Sequence, residues 1–231
     1  HQPGHNSGVM HSGIYYRPDS RKAQFCVAGL QSLLRFCNEN EIEYQQCGKV
    51  IVALGEDELP RLQNLYERGV ANGVKGLEMI GPERLREIEP HAAGIQALWA
   101  PFTGIIDYRK VSEAYAGRFQ QAGGDIFTQS PVRKITRYPD SQILETPSGS
   151  LKAKNVINCA GLYADRVAEM MGERVDVRII PFRGEYYTLR PESHHLVSGL
   201  VYPVPDPRFP FLGVHFTRNI QGYVEAGPNA V

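Results

Sequence analysis

The sequence predicts a mixed α/β fold (α+β in its block order) made of two domains that exchange the chain more than once. Three observations carry that expectation. Helix-like and strand-like stretches follow one another in blocks, not in strict β-α alternation. Residues 154–171 run as an apolar strand (KNVINC), a small-residue turn at Ala160-Gly161 and a helix, which together make half of a doubly wound unit. From Val175 onward the pattern turns to strands alone.

The elements follow in order. After a Gly-rich opening turn, residues 20–40 place Phe25, Leu30, Leu33, Leu34 and Cys37 on one stripe of a helix. Residues 48–54 (GKVIVAL) are a β-branched apolar run that reads as a buried strand. Helical spacing returns over residues 56–72 through Leu59, Leu62, Leu65, Tyr66 and Val70, and Asn72-Gly73 closes that helix. A short strand at 77–80 precedes a small helix over 83–89, opened by Pro82 and closed by Pro90. Residues 94–100 alternate as a strand, and 109–122 form a helix stopped by Gly123-Gly124. Strands are expected at 125–128 and 132–136, then a hairpin whose turn is Pro147-Ser148-Gly149. The closing strands are 177–180, 184–189, 196–202, 211–217 and 223–227.

Composition narrows the function classes. The 231 residues are 42% apolar and 22% charged, which suits a folded globular enzyme. Lysine plus arginine equals aspartate plus glutamate at 25 each, so no bulk charge favours nucleic acid as a partner. The cysteines, Cys26, Cys37, Cys47 and Cys159, are scattered without the close pairs of zinc or redox sites, and reduced thiols in a cytoplasmic protein are expected. No run approaches the roughly 20 apolar residues of a membrane span. A soluble protein follows, with peripheral contact at the inner membrane left open. The chain starts without methionine inside a turn and stops in another, so it is expected to be a portion of a longer protein.

Two segments stand out chemically. Residues 5–16 pack two imidazoles, an amide, hydroxyls and glycines into a short stretch, supplying the donors and permissive backbone that a polar cofactor needs. Ala160 and Gly161 have no bulky side chain and let a ligand approach closely, although tight packing of a helix start would use the same residues. His194-His195 and the His5, His11 spacing raise a metal site. Adjacent histidines on a strand point to opposite faces and no acidic ligand stands at a suitable spacing, so none is assigned.

Several stretches, quoted in chain order, resemble one family: GHNSGVMHSGIYYRPDS (4–20), CGKVIVA (47–53), LREIEP (85–90), GIIDYRKV (104–111), NCAGLYADR (158–166), PFRGEYY (181–187), YPVPDPRFPFLGVHFTR (202–218) and GPNAV (227–231). The chain is similar to the L-2-hydroxyglutarate oxidases and dehydrogenases within the glycine-oxidase and D-amino-acid-oxidase-like flavoproteins. The first and the last two stretches are specific to that family; NCAGLYADR is common to the superfamily. The resemblance implies an FAD-binding domain of the two-dinucleotide-binding type (residues 1–42 and 105–173) interleaved with a mixed-sheet substrate domain (43–104 and 174–231). It further implies that Asn6, Ser7, Gly8, Val9, Met10 and His11 lie along FAD, that Val132 offers its backbone to the adenine, and that Ala160, Gly161 and Asp165 flank the cofactor. The family's Gly-x-Gly-x-x-Gly segment and its carboxy-terminal flavin segment have no counterpart in the chain.

Oxidising an alcohol to a ketone requires a base for the hydroxyl proton and an acceptor for the hydride. His215 and His11 are the candidate bases, with core packing as the alternative role for each. Arg183 and Arg218 are candidates for holding substrate carboxylates, because a guanidinium grips a carboxylate through two hydrogen bonds. The expected substrate is a small 2-hydroxy acid, L-2-hydroxyglutarate first, with oxygen or a quinone as electron acceptor. Within flavoenzymes, a glycine-oxidase-like amine oxidase or a glycerol-3-phosphate dehydrogenase is the alternative. Outside them stand a metal-dependent hydrolase using His5, His11 and Asp19, and a non-catalytic remnant of the fold.

Overall fold

The computed structural model describes residues 2–208 and 212–230, which divide into two compact units. The first unit takes residues 1–117 and 184–231, so the chain leaves it and returns; the second takes residues 118–183.

The first unit is organised by a seven-stranded mixed sheet. Its strands are β3 (Lys49–Ala53), β4 (Glu78–Ile80), β5 (Gln96–Ala100), β10 (Gly184–Thr188), β11 (Leu200–Pro203), β12 (His215–Arg218) and β13 (Val224–Ala230). They lie in the order β10-β13-β12-β11-β3-β5-β4. β3 runs parallel to β11 and antiparallel to β5, and all five of its residues are buried, as its β-branched run predicts. Beside it stands a three-stranded sheet, β1 (Val9–Met10), β6 (Gly104–Ile106) and β2 (Tyr44–Gln45), in the order β1-β6-β2. The sequence reading missed all three of these strands, since two or three residues are too few for a period to register.

Helices α1 (Arg21–Glu39), α2 (Leu59–Ala71), α3 (Pro82–Ile88) and α4 (Tyr108–Gln121) fall where the spacing predicts them. Ser20 starts α1 by accepting a hydrogen bond from the Ala23 amide at 3.2 Å. Of its buried stripe of Ala23, Leu30 and Cys37, the last two pack with Met10, Ile106 and Val111. α2 buries Leu62 and Leu65 among Ile14, Ile51, Leu98 and Leu200. At the end of α2, the Asn72 side-chain amide donates to the carbonyls of Gly13 (2.9 Å) and Tyr16 (2.8 Å), while Arg68 donates to that of Tyr15 (3.0 Å). A helix terminus thus fixes the loop that carries His11 to Tyr16.

The second unit holds the antiparallel sheet β7 (Lys134–Tyr138), β8 (Ser141–Thr146) and β9 (Gly149–Ala153), and helix α5 (Ala164–Met170). The hairpin stands where it was predicted. Three predicted strands do not form. Residues 125–128, 154–159 and 177–180 have strand composition but pair with no strand among the described residues, and an unpaired segment gains no ladder hydrogen bonds. Ile157, at 86% exposure, shows how far the 154–159 run is from the buried strand its composition suggests.

The strand predicted at 196–202 is corrected to a 3-10 helix over Pro191–Leu196 followed by β11. His194 and His195 therefore lie on that helical turn, not on a strand, with ring nitrogens bonded to the carbonyls of Leu189 (2.9 Å) and Glu192 (2.8 Å). The strand predicted at 211–217 begins at His215, and its first residue, Phe211, lies outside the described residues.

Candidate active site

β-Sheet parity assembles the site. Leu200 of β11 pairs with Lys49 of β3 on one side and with Thr217 of β12 on the other, so these three side chains share a face. Tyr202 and His215, two residues along from Leu200 and Thr217, belong to the same face, and their rings stack with centroids 3.9 Å apart. The loop held by α2 brings Tyr15 and Ser12 to this region. Lys49 Nζ lies 4.5 Å from the Tyr15 ring centroid and 5.0 Å from that of Tyr202. Ser12 and Thr103 share a buried hydroxyl–hydroxyl hydrogen bond of 3.1 Å.

His215 is 6% exposed, and its Nδ1 lies 2.9 Å from the Gly213 carbonyl. A carbonyl can only accept, so Nδ1 carries the proton and Nε2 is left with a free lone pair. Burial pulls the imidazole below its ordinary value, and the Lys49 charge adds to that, against the Gly213 hydrogen bond, which raises it. His215 is therefore a neutral imidazole at neutral pH with the tautomer a general base requires. His11 is exposed on its loop, and the protein packed around it, with the charges of Lys49 and His215, lowers its imidazole from the ordinary value. It reaches solvent through a cavity of about 530 Å³ that Cys26, Tyr16 and Tyr108 also line.

Lys49 was missed by the sequence reading, although a lysine within the apolar run GKVIVAL was the available signal. It is 1% exposed, and desolvation pulls its ammonium down to about 7. Tyr15, Tyr202 and Thr217 were missed too, because nothing local marks a residue that matters only by the neighbours it gains. The Tyr15 hydroxyl is buried without a hydrogen-bond partner among the described residues, and the Thr217 hydroxyl stands by that of Tyr202. Glu89, from the LREIEP stretch, is a structural clamp: its carboxylate accepts the amides of Gly199 (2.6 Å) and Ser198 (2.9 Å) and so fixes the start of β11.

The remaining predicted residues lie as follows. Asn6 organises its own turn, accepting from the Gly8 amide at 2.8 Å and donating to the carbonyls of Gln2 (2.7 Å) and Pro3 (2.9 Å). With Ser7 and Gly8 it lines a polar cavity of about 170 Å³ that Arg109, Asn219 and Gln221 share. Val9 and Met10 are buried in β1, where they pair with Ile105 and Gly104 of β6. Gly8 has φ +67°, and a Cβ there would meet the Ile106 carbonyl oxygen at 2.7 Å. Gly8→Ala is expected to destabilise the fold by about 2–4 kcal/mol through left-handed strain and the backbone clash. A urea midpoint equal to that of the parent protein would contradict this.

Arg218 stands beside Thr217, its guanidinium 3.5 Å from the His194 carbonyl and 3.4 Å from that of Val197. In the second unit, Val132 is half-buried just before β7, and Arg183 is exposed. Ala160 and Gly161 form an open turn, with φ +57° at Gly161 and nothing within 4 Å of a Cβ placed there. Asp165 accepts the amides of Arg166 (2.9 Å) and Ile179 (3.1 Å), and the Ile179 amide leads in holding its carboxyl below the usual range. The first unit thus gathers His11 and His215 around Lys49, while Val132, Ala160, Gly161, Asp165 and Arg183 belong to the second. Among the described residues no three histidine, cysteine or acidic side chains form a metal-binding group. No helix among them is long and apolar enough to cross a membrane.

This combination of a large mixed sheet and a second unit inserted into the chain of the first defines a fold class. The fold matches that of L-alpha-glycerophosphate oxidase from Mycoplasma pneumoniae, solved with FAD bound, at TM-score 0.85 and 25% identity, covering 99% of this chain and 61% of that one. It also matches glycine oxidase from Geobacillus kaustophilus at TM-score 0.81 and 18% identity, again over 99% of this chain and 61% of that one. The family model for FAD dependent oxidoreductases matches residues 1–230, and the chain belongs to that family. It is 51% identical over 232 residues to the L-2-hydroxyglutarate dehydrogenase of Indibacter alkaliphilus, covering all of this chain and 58% of that protein. It is 49% identical over 244 residues to the mitochondrial L-2-hydroxyglutarate dehydrogenase of Homo sapiens, covering all of this chain and 52% of that protein. The chain therefore spans a little over half the length of the curated relatives it matches.

Proposed function

We propose that the protein containing this chain oxidises a small 2-hydroxy acid at its alcohol carbon, with L-2-hydroxyglutarate as substrate and 2-oxoglutarate as product. The observation that carries the reading is His215: a buried, neutral imidazole with Nε2 free, set in a cluster of basic groups suited to an organic anion. In this reading Nε2 takes the hydroxyl proton, and Arg183 and Arg218 are the candidate partners for substrate carboxylates. His11 is the second candidate base.

The residues present fit FAD. The polar crevice at Asn6, Ser7 and Gly8 and the open Ala160-Gly161 turn both allow the close approach of a polar cofactor. Val9, Met10 and His11 continue the first segment, and Val132 and Asp165 complete the proposed set in the second unit. When bound, FAD supplies the acceptor for the substrate hydride. The functional division runs as residues 1–42 with 105–173 for the cofactor and 43–104 with 174–231 for the substrate. The four cysteines are unpaired, which supports a reducing compartment such as the cytoplasm.

The full-length protein is expected to purify with flavin absorbance and to bleach anaerobically on addition of L-2-hydroxyglutarate. The likeness to L-alpha-glycerophosphate oxidase favours glycerol 3-phosphate as the second substrate to try. Bleaching by glycerol 3-phosphate or glycine but not by L-2-hydroxyglutarate would replace the proposed substrate. A full-length protein that takes up no flavin would sink the reading altogether.

A further inference from the structure

Lys49 sits beneath the surface of the sheet face described above. Around its side chain the tertiary structure places the Tyr15 and Tyr202 rings, and charge coupling links it to His11 on the loop, Cys26 on α1 and His215 on β12. None of these groups is a carboxylate. Among the described residues the Lys49 ammonium makes neither an ion pair nor a side-chain hydrogen bond, and the Tyr15 hydroxyl nearby is buried without a partner. A buried ammonium needs a counter-charge, and without one the amine sheds its proton. The amine and the two imidazoles thus form a basic cluster that no carboxylate among the described residues neutralises.

We propose that Lys49 is the proton-linked counter-charge of this site, taking up one proton from solvent when an organic carboxylate enters beside His11 and His215 and returning it when the anion leaves. The identity of that carboxylate rests on the 2-hydroxy acid reading. Lys49 acts through the field it sets at the two imidazoles and the anion, and is a positioning residue. Its neighbours titrate elsewhere: both imidazoles lie below their ordinary value, Tyr15 lies well above its own, Tyr202 is pushed up to about 12, and burial raises the Cys26 thiol. In the mildly alkaline range Lys49 is the member of the cluster whose protonation an incoming anion changes.

Calorimetric titration of the oxidised full-length holoenzyme with 2-oxoglutarate, in buffers of different ionisation enthalpy, reads the proton directly. About one proton should be taken up per anion near pH 8.5, and the dissociation constant should rise about tenfold from pH 8 to pH 9. Lys49→Met should abolish the uptake and weaken binding. Lys49→Arg, charged at every pH, should bind without uptake and without that pH dependence. Uptake that persists in Lys49→Met, or wild-type binding with no uptake, would overturn the proposal. If wild type binds no 2-oxoglutarate, the substrate reading fails instead, and the same titration with pyruvate and oxalate then decides the role of Lys49.

Discussion

Replacing His215 by alanine in the full-length holoenzyme is expected to slow flavin reduction by about 10²- to 10⁴-fold while weakening substrate binding far less. A general base acts mainly in the transition state, and removal of one typically costs that much. The geometry specifies which nitrogen acts. Nδ1 is committed to the Gly213 carbonyl and the ring is stacked on Tyr202, so Nε2 is the free, fixed lone pair. Because the imidazole lies below its ordinary value of 6.5, Nε2 stays unprotonated through neutral pH. The acid limb of the reduction rate should therefore fall below pH 6.5 in the parent enzyme and be lost in the variant. Rapid-reaction spectroscopy of flavin bleaching measures both. If His215→Ala reduces its flavin at a near-normal rate, His215 is not the base and is a packed core residue.

Lys49→Met is expected to stabilise the fold by about 3–5 kcal/mol at pH 7. Burial holds the folded-state lysine at about 7 against 10.5 for the ordinary side chain. Between those values the unfolded chain binds a proton that the folded chain does not, so stability contributed by this residue rises with pH across that window and is lost as pH falls through it. Methionine keeps the length of the side chain and removes the titration. The gain should therefore shrink to about 1–2 kcal/mol by pH 9.5. Urea midpoints of parent and variant at the two pH values separate this linkage from a general change in packing. A destabilised variant, or a difference that does not move with pH, would show that Lys49 has a stabilising partner. A residue that weakens the fold where it would strengthen an anion site fits a functional role.

Much of the secondary structure was legible in the sequence because it is local. The 3.6-residue stripe of α1, the Asn72-Gly73 stop of α2, the β-branched run of β3 and the β8–β9 hairpin each state their own conformation through periodicity and turn chemistry. The 154–159 run failed for a reason of the same kind: strand composition is local, but a strand exists only through its partner, and none of the described residues supplies one. The family, too, was readable from stretches such as GHNSGVMHSGIYYRPDS, and the match over residues 1–230 bears that out.

The sequence by itself thus determined the helices and the longer strands, the mixed α/β class and the FAD-dependent oxidoreductase family, and it nominated His11 and His215. Only the tertiary structure decided what surrounds them. The pairing of β11 with both β3 and β12 brings Lys49 and Thr217, residues far apart in the chain, onto one face. The end of α2 then holds the His11–Tyr16 loop in place through Asn72 and Arg68. Periodicity reports which face of an element is apolar; burial of a lone ammonium depends on which distant strands and loops close over it, and no local pattern encodes that.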